Sequence, residues 1–283
     1  MTTRTNWWGR ISLWQRFVLL LILVAIAAVV YFIFFRNAAA PEPSIFRVSS
    51  SGGDGTLVIE GNDPQWSPDG ESVLLTADDE EGVTGIYRYD FSGEPTLITD
   101  GSNPSWSPDG STIWFSREDE ASVASFYSVD AGGGEPTLYV NGDEPVLSPD
   151  GALVAFSGED QAGVPGIYTY EIATEAVTLL TPGEEPSWAP DGSNVVFVAE
   201  NADGDSEISI YDMASGEVSF VIGGDDPIWS PDGATIAFSG ENNAEEAVVM
   251  TVVPGSTPTE VTEGEEPSWS PDGAEFVFVR VPE

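Results

Sequence analysis

Nine acidic residues stand at matching places in a repeated motif. Asp63, Glu144, Glu185, Asp226 and Glu266 each lie three residues before a recurring Trp, which is a Leu once, and directly before a Pro; Asn103 holds the sixth such place. One residue earlier come Asn62, Ser102, Asp143, Glu184, Asp225 and Glu265, four of which are again acids. Carboxylates gathered in one place repel each other, attract cations and hold protons more tightly than isolated ones. If the repeat brings them together, they form a binding surface for a basic peptide, an amine or a divalent cation, with affinity that falls as salt rises. The same residues, left in water, make an acidic rim that contributes solubility.

A second acidic cluster reads Asn201-Ala-Asp203-Gly-Asp205-Ser-Glu207. Oxygen side chains at alternate positions suit a hard cation, so these four residues are candidate calcium ligands. The EF-hand pattern is incomplete, however, and Asp-Gly between two strands also makes an ordinary hairpin turn, the reading favoured here. No other cofactor is implied. The chain has no Cys and no His, which removes disulfides, thiol nucleophiles, Cys- or His-ligated metals and the Ser-His-Asp triad. Its net charge of −40 disfavours nucleic acid, whose phosphates are bound by bases.

The elements that must position these acids follow from the repeat. The motif reads PQWSPDG at 64–70, PSWSPDG at 104–110, PVLSPDG at 145–151, PSWAPDG at 186–192, PIWSPDG at 227–233 and PSWSPDG at 267–273, a spacing of 40 or 41. Ser-Pro-Asp-Gly is a turn: Pro presets φ, Asp is tolerated at the third position and Gly suits the fourth. A short apolar run such as TIWFS or LVAFS follows each motif. Another, such as IYRYD, lies about 20 residues before each Trp, and one such as TLLT about ten before. Four strand-length segments per period, rich in β-branched and aromatic residues, predict the blades of a β-propeller. With the strands lettered A to D from the motif onward, five complete blades run from 64 to 261. A C–D pair at 45–59 and an A–B pair at 266–281 remain, and together they make a sixth blade that closes the ring. The recurring Trp is expected to pack between blades, and the repeated Asp of the turn to form turns rather than a metal array. The B–C and D–A loops share one face of such a ring. The B–C loops carry 16 acids against nine in the C–D turns.

The WSPDG, IxF, IYxYD and TxLT pattern resembles the TolB-type WD40-like β-propeller repeat family over about residues 44–283. The resemblance implies an all-β six-bladed propeller. It is limited to the propeller: TolB has a further N-terminal domain and a cleaved export signal, and the Gly-His of WD40 repeats is absent. Similar propellers serve as interaction platforms or accompany hydrolase domains. Peptidases with such propellers carry a separate α/β-hydrolase domain, for which the chain has no room and no Gly-x-Ser-x-Gly followed by His. Sialidase-like propellers need several convergent Arg, and the body holds only Arg47, Arg88, Arg117 and Arg280. The chain therefore reads as a non-enzyme; the alternative is a calcium-dependent or carbohydrate-active surface enzyme built on a carboxylate pair.

Charge and hydropathy divide the chain. Residues 1–16 are basic, with Arg4, Arg10 and Arg16 and no acid. Phe17 to Phe35 is uncharged and almost wholly apolar over 19 residues; as a helix it is about 28 Å long, enough to span a bilayer. Residues 36–43 are a Pro-containing linker. The Arg bias predicts a single-pass anchor in the cytoplasmic membrane, N-terminus inside, with the propeller at 44–283 outside, in the periplasm or extracellular space. Pro41 after Ala38–Ala40 argues against signal cleavage. The function expected is a membrane-anchored protein-binding or assembly module, such as an accessory subunit of a membrane complex held by the bilayer contact of residues 17–35.

Overall fold

The computed structural model describes residues 42–119, 122–159 and 165–281. The basic segment, the apolar span and linker residues 36–41 expected from the sequence lie outside these residues, as do Glu120 and Asp160 of the B–C loops. Among the described residues, no helix is long and apolar enough to cross a membrane.

Residues 44–280 form six four-stranded antiparallel sheets. Blades 1 to 5 are consecutive in the chain, at 62–100, 102–141, 143–181, 184–223 and 225–263. Blade 6 is built from both ends, as the sequence predicts: β1 (Ser44–Ser49) and β2 (Thr56–Glu60) join β23 (Glu265–Trp269) and β24 (Glu275–Arg280), in the order β2-β1-β24-β23. Ser44 to Ser49 pair residue for residue with Arg280 to Glu275. That pairing closes the ring without a disulfide.

The core lies between neighbouring sheets. Each B strand buries a large side chain at one repeated place: Leu75, Phe115, Phe156, Phe197, Phe238 and Phe278 are each at most 2% exposed. A glycine opens every D–A connection onto that side chain. At Gly183, with φ of +145°, an added Cβ would lie 2.6 Å from the Phe197 ring and 2.5 Å from the Val198 carbonyl oxygen. Only glycine allows that approach. The Trp residues pack into the same interfaces. Two of them also bridge blades: the Trp188 indole donates to the Val146 carbonyl at 3.1 Å and the Trp106 indole to that of Gln65 at 3.4 Å.

The Ser-Pro-Asp-Gly turns form as expected. The Gly70 amide donates to the Ser67 carbonyl at 2.9 Å, with Gly70 at φ +72°. Asp69 accepts from the Ser67 hydroxyl at 2.6 Å and the Glu71 amide at 3.0 Å. Blade 4 has Ala189 in place of the Ser, and there Asp191 takes the hydroxyl and amide of Ser193.

Candidate functional site

The innermost strand of each blade is irregular at one place. The A–B register slips between Asn62 and Gln65, Ser102 and Ser105, Asp143 and Val146, Glu184 and Ser187, Asp225 and Ile228, and Glu265 and Ser268. Each slip is a bulge that holds one acid (Asn in blade 2) and one Pro. Pro has no amide to contribute to a ladder, so a bulge on the inner edge suits it. The residue before it takes a left-handed backbone. Asp63, Asn103, Glu144, Glu185, Asp226 and Glu266 have φ between 47° and 55°. Such a conformation is uncommon for a residue with a side chain, and bulges re-aim side chains. Here the bulge turns all six toward one cavity on the propeller axis, about 200 Å³ in volume. The Pro that follows each of them, and Gln65, Ser105, Val146, Ser187 and Ile228, line the rest.

The five acids are half-buried and tied to one another across blades. Glu266 Oε2 accepts the Asp63 amide at 2.9 Å, Glu144 Oε2 the Glu185 amide at 2.9 Å, and Glu185 Oε2 the Asp226 amide at 2.7 Å. The length of the side chain decides where it reaches. Asp63 and Asp226 accept from hydroxyls of their own blade, Thr76 at 2.6 Å and Ser239 at 2.7 Å. The longer Glu144 takes both kinds of donor, adding Ser157 at 2.6 Å. Asn103 breaks the pattern, donating through Nδ2 to Asp143 at 2.8 Å.

Burial pushes every one of these carboxyls up. Glu185 rises to about 8, with Asp226 and Glu144 adding like charge, and Glu266 to about 7, with Asp63 and Asp226 adding theirs. Asp63, Glu144 and Asp226 are raised for the same leading reason, partly offset by their hydroxyl donors. The outer four, Asp143, Glu184, Asp225 and Glu265, are placed differently. Glu184, Asp225 and Glu265 are exposed and none of the four lines the cavity, although they contribute negative charge beside it.

The Asn201–Glu207 segment is a hairpin turn between strands β16 (Asn194–Glu200) and β17 (Ser206–Asp212). Asn201 Oδ1 accepts the amides of Asp203 and Asp205 at 2.8 and 3.0 Å. Its Nδ2 donates to Asp205 and Glu207 at 3.3 and 3.2 Å. Asn201 is thus occupied in folding the turn. Among the described residues, no three acids lie close enough together to hold a metal ion.

Residues 137–283 match the TolB beta propeller domain. The chain belongs to the TolB beta propeller domain family. Among solved structures it is similar to one described as putative TolB from Agrobacterium tumefaciens. That likeness has 24% identity and a TM-score of 0.73, and covers 86% of this chain and 99% of that one. TolB from Acinetobacter baumannii is 19% identical with a TM-score of 0.69, over 81% of this chain and 66% of that one. An oligogalacturonate lyase in complex with manganese is 16% identical with a TM-score of 0.53, over 81% of this chain and 80% of that one. At these identities the likeness is one of fold. No curated protein matches the sequence.

Proposed function

We propose that this TolB-type propeller is a non-enzymatic, membrane-anchored binding module outside the cytoplasm, and that it receives a cationic segment of a partner protein at its axial acidic mouth. The observation that carries the reading is the set of five bulges that turn Asp63, Glu144, Glu185, Asp226 and Glu266 into one cavity. Five bulges, each with a left-handed acid, cost backbone energy that a merely soluble rim has no need of. The carboxylates stand too far apart for three to grip one metal ion directly. A basic peptide, with charges spread along its length, suits that spacing better than an inner-sphere calcium ion. The anchor and its orientation are supported by Arg4, Arg10 and Arg16 before the apolar run of residues 17–35. The eight-residue linker reaches at most about 28 Å, so the propeller works close to the bilayer, as an accessory subunit of a membrane complex would.

Titrating the full chain with a tetra-arginine peptide tests the binding. The affinity should fall at least tenfold between about 20 and 200 mM salt, as exposed charge pairs are screened. Affinity independent of salt would refute a charge-driven mouth. Protease added outside intact spheroplasts should cleave the propeller; cleavage only after lysis would refute the topology.

A further inference from the structure

Arg280 is the last residue of β24, and its place in the repeat is also filled by an Arg in blade 2, Arg117. The two are built alike. Arg117 lies over the Tyr127 and Phe115 rings at 5.1 and 5.5 Å, and Arg280 over the matching Phe46 and Phe278 rings at 4.2 and 5.8 Å. Each faces an acid 17 residues earlier that ends the outer strand of the preceding blade: Asp100 ends β6 (Thr96–Asp100) and Glu263 ends β22 (Thr259–Glu263). The outcomes differ. Arg117 pairs with Asp100 at 2.6 Å and also donates to Thr99 Oγ1 at 3.0 Å. The Arg280 side chain makes no ion pair or hydrogen bond to any described residue, in a chain with 48 acids.

An open groove of about 700 Å³ lies between blades 5 and 6, lined by Arg280 and by Glu246, Glu263 and Glu265. Val281, 51% exposed, supplies apolar surface in it, while Phe46 is buried beneath Arg280. The ring beneath Arg280 fixes the guanidinium plane, and among the described residues nothing takes its in-plane N–H donors. A carboxylate is the group that accepts such donors in pairs. A carboxylate alone would meet three glutamates, so the ligand must also bring a cation. We propose that this groove binds a small zwitterion of the amino-acid or short-peptide class. Its carboxylate would lie on Arg280, its ammonium among Glu246, Glu263 and Glu265, and its apolar part against Val281. The site is separate from the axial mouth.

Calorimetry on the full chain tests this with alanine, trialanine, N-acetyl-trialanine and trialanine amide as probes. Alanine or trialanine should bind, and which of them does separates a free amino acid from a peptide end. The two capped forms should each bind at least tenfold more weakly than the better zwitterion. Arg280→Ala should weaken that zwitterion at least tenfold, while Arg117→Ala, whose guanidinium is already paired, should leave it unchanged. If Arg280→Ala does not fold, as judged by circular dichroism, Glu263→Gln should still weaken the free-ammonium probes. No heat with either zwitterion, capped forms that bind equally well, or binding insensitive to these substitutions at the groove would overturn the proposal.

Discussion

Glu185 is held by its neighbours more tightly than a solvated rim acid would be. Its Oε2 takes the Asp226 amide at 2.7 Å, and burial with the nearby acids lifts its carboxyl to about 8. In the unfolded chain it would titrate near 4.5. Between these values the folded state holds a proton that the unfolded state has lost, so stability declines as pH rises through that window. Glu185→Gln keeps an acceptor for the amide and removes the titration. It should raise the melting midpoint by about 5 °C at pH 8 and change it little at pH 4. Calorimetry at the two pH values checks this, and an equal effect at both would contradict it. The sequence located the ring residues through the acid–Pro pair that precedes each Trp. It did not show the bulges or the left-handed backbone, because a slip in register depends on the partner strand. Nor did it show that Asn201 would spend its side chain on its own turn.

Strand and turn assignments were legible because Ser-Pro-Asp-Gly encodes its own turn and the apolar runs keep strand length. The glycines of the D–A connections were less so, since their role depends on a Phe some 14 residues later. Gly183 and Gly204 separate the two demands on such a residue. Both have positive φ, but an added Cβ at Gly183 meets Phe197 and Val198, whereas at Gly204 it meets nothing within 4 Å. Gly183→Ala should cost more than about 3 kcal/mol, combining clash and strain, and Gly204→Ala only about 1 kcal/mol. Urea midpoints of the two variants measure the difference; equal costs would show that the close approach to Phe197 is not a constraint.

Across the whole molecule, two sets of acids pull stability in opposite directions. The turn aspartates accept hydroxyl and amide donors that hold their carboxyls low, Asp109 down to about 2 and Asp69, Asp150, Asp191, Asp232 and Asp272 in the same direction. Their contribution is complete above the ordinary Asp value and is lost as pH falls through the lowered values. The mouth acids contribute most below the ordinary carboxyl range and lose it as pH rises toward 7 and 8. Stability should therefore peak near pH 4 to 5, below the range of about 5 to 8 usual for proteins. A series of melting midpoints from pH 2 to 9 would show it, and a maximum at pH 7 or above would count against the buried ring. Ring closure makes the second molecular prediction. Deleting 275–283 removes β24, which joins β1 to β23, so the propeller should lose its cooperative melting transition. An unchanged transition would mean that the closing blade contributes nothing. Closure was readable from the leftover strand pairs at the two ends of the repeat, whereas no sequence pattern distinguished the open groove at Arg280 from the closed one at Arg117.

The axial acids, read as a binding surface, are open to one decisive titration. The chain carrying Glu144→Gln, Glu185→Gln, Asp226→Asn and Glu266→Gln is titrated with tetra-arginine at about 20 mM salt and pH 9, above the raised values of Glu185 and Glu266, so that the wild-type ring is largely ionised. The affinity should fall at least a hundredfold with an unchanged circular dichroism spectrum. Undiminished binding by a folded quadruple variant would show that the ring is a solvated rim and that the cationic partner docks elsewhere.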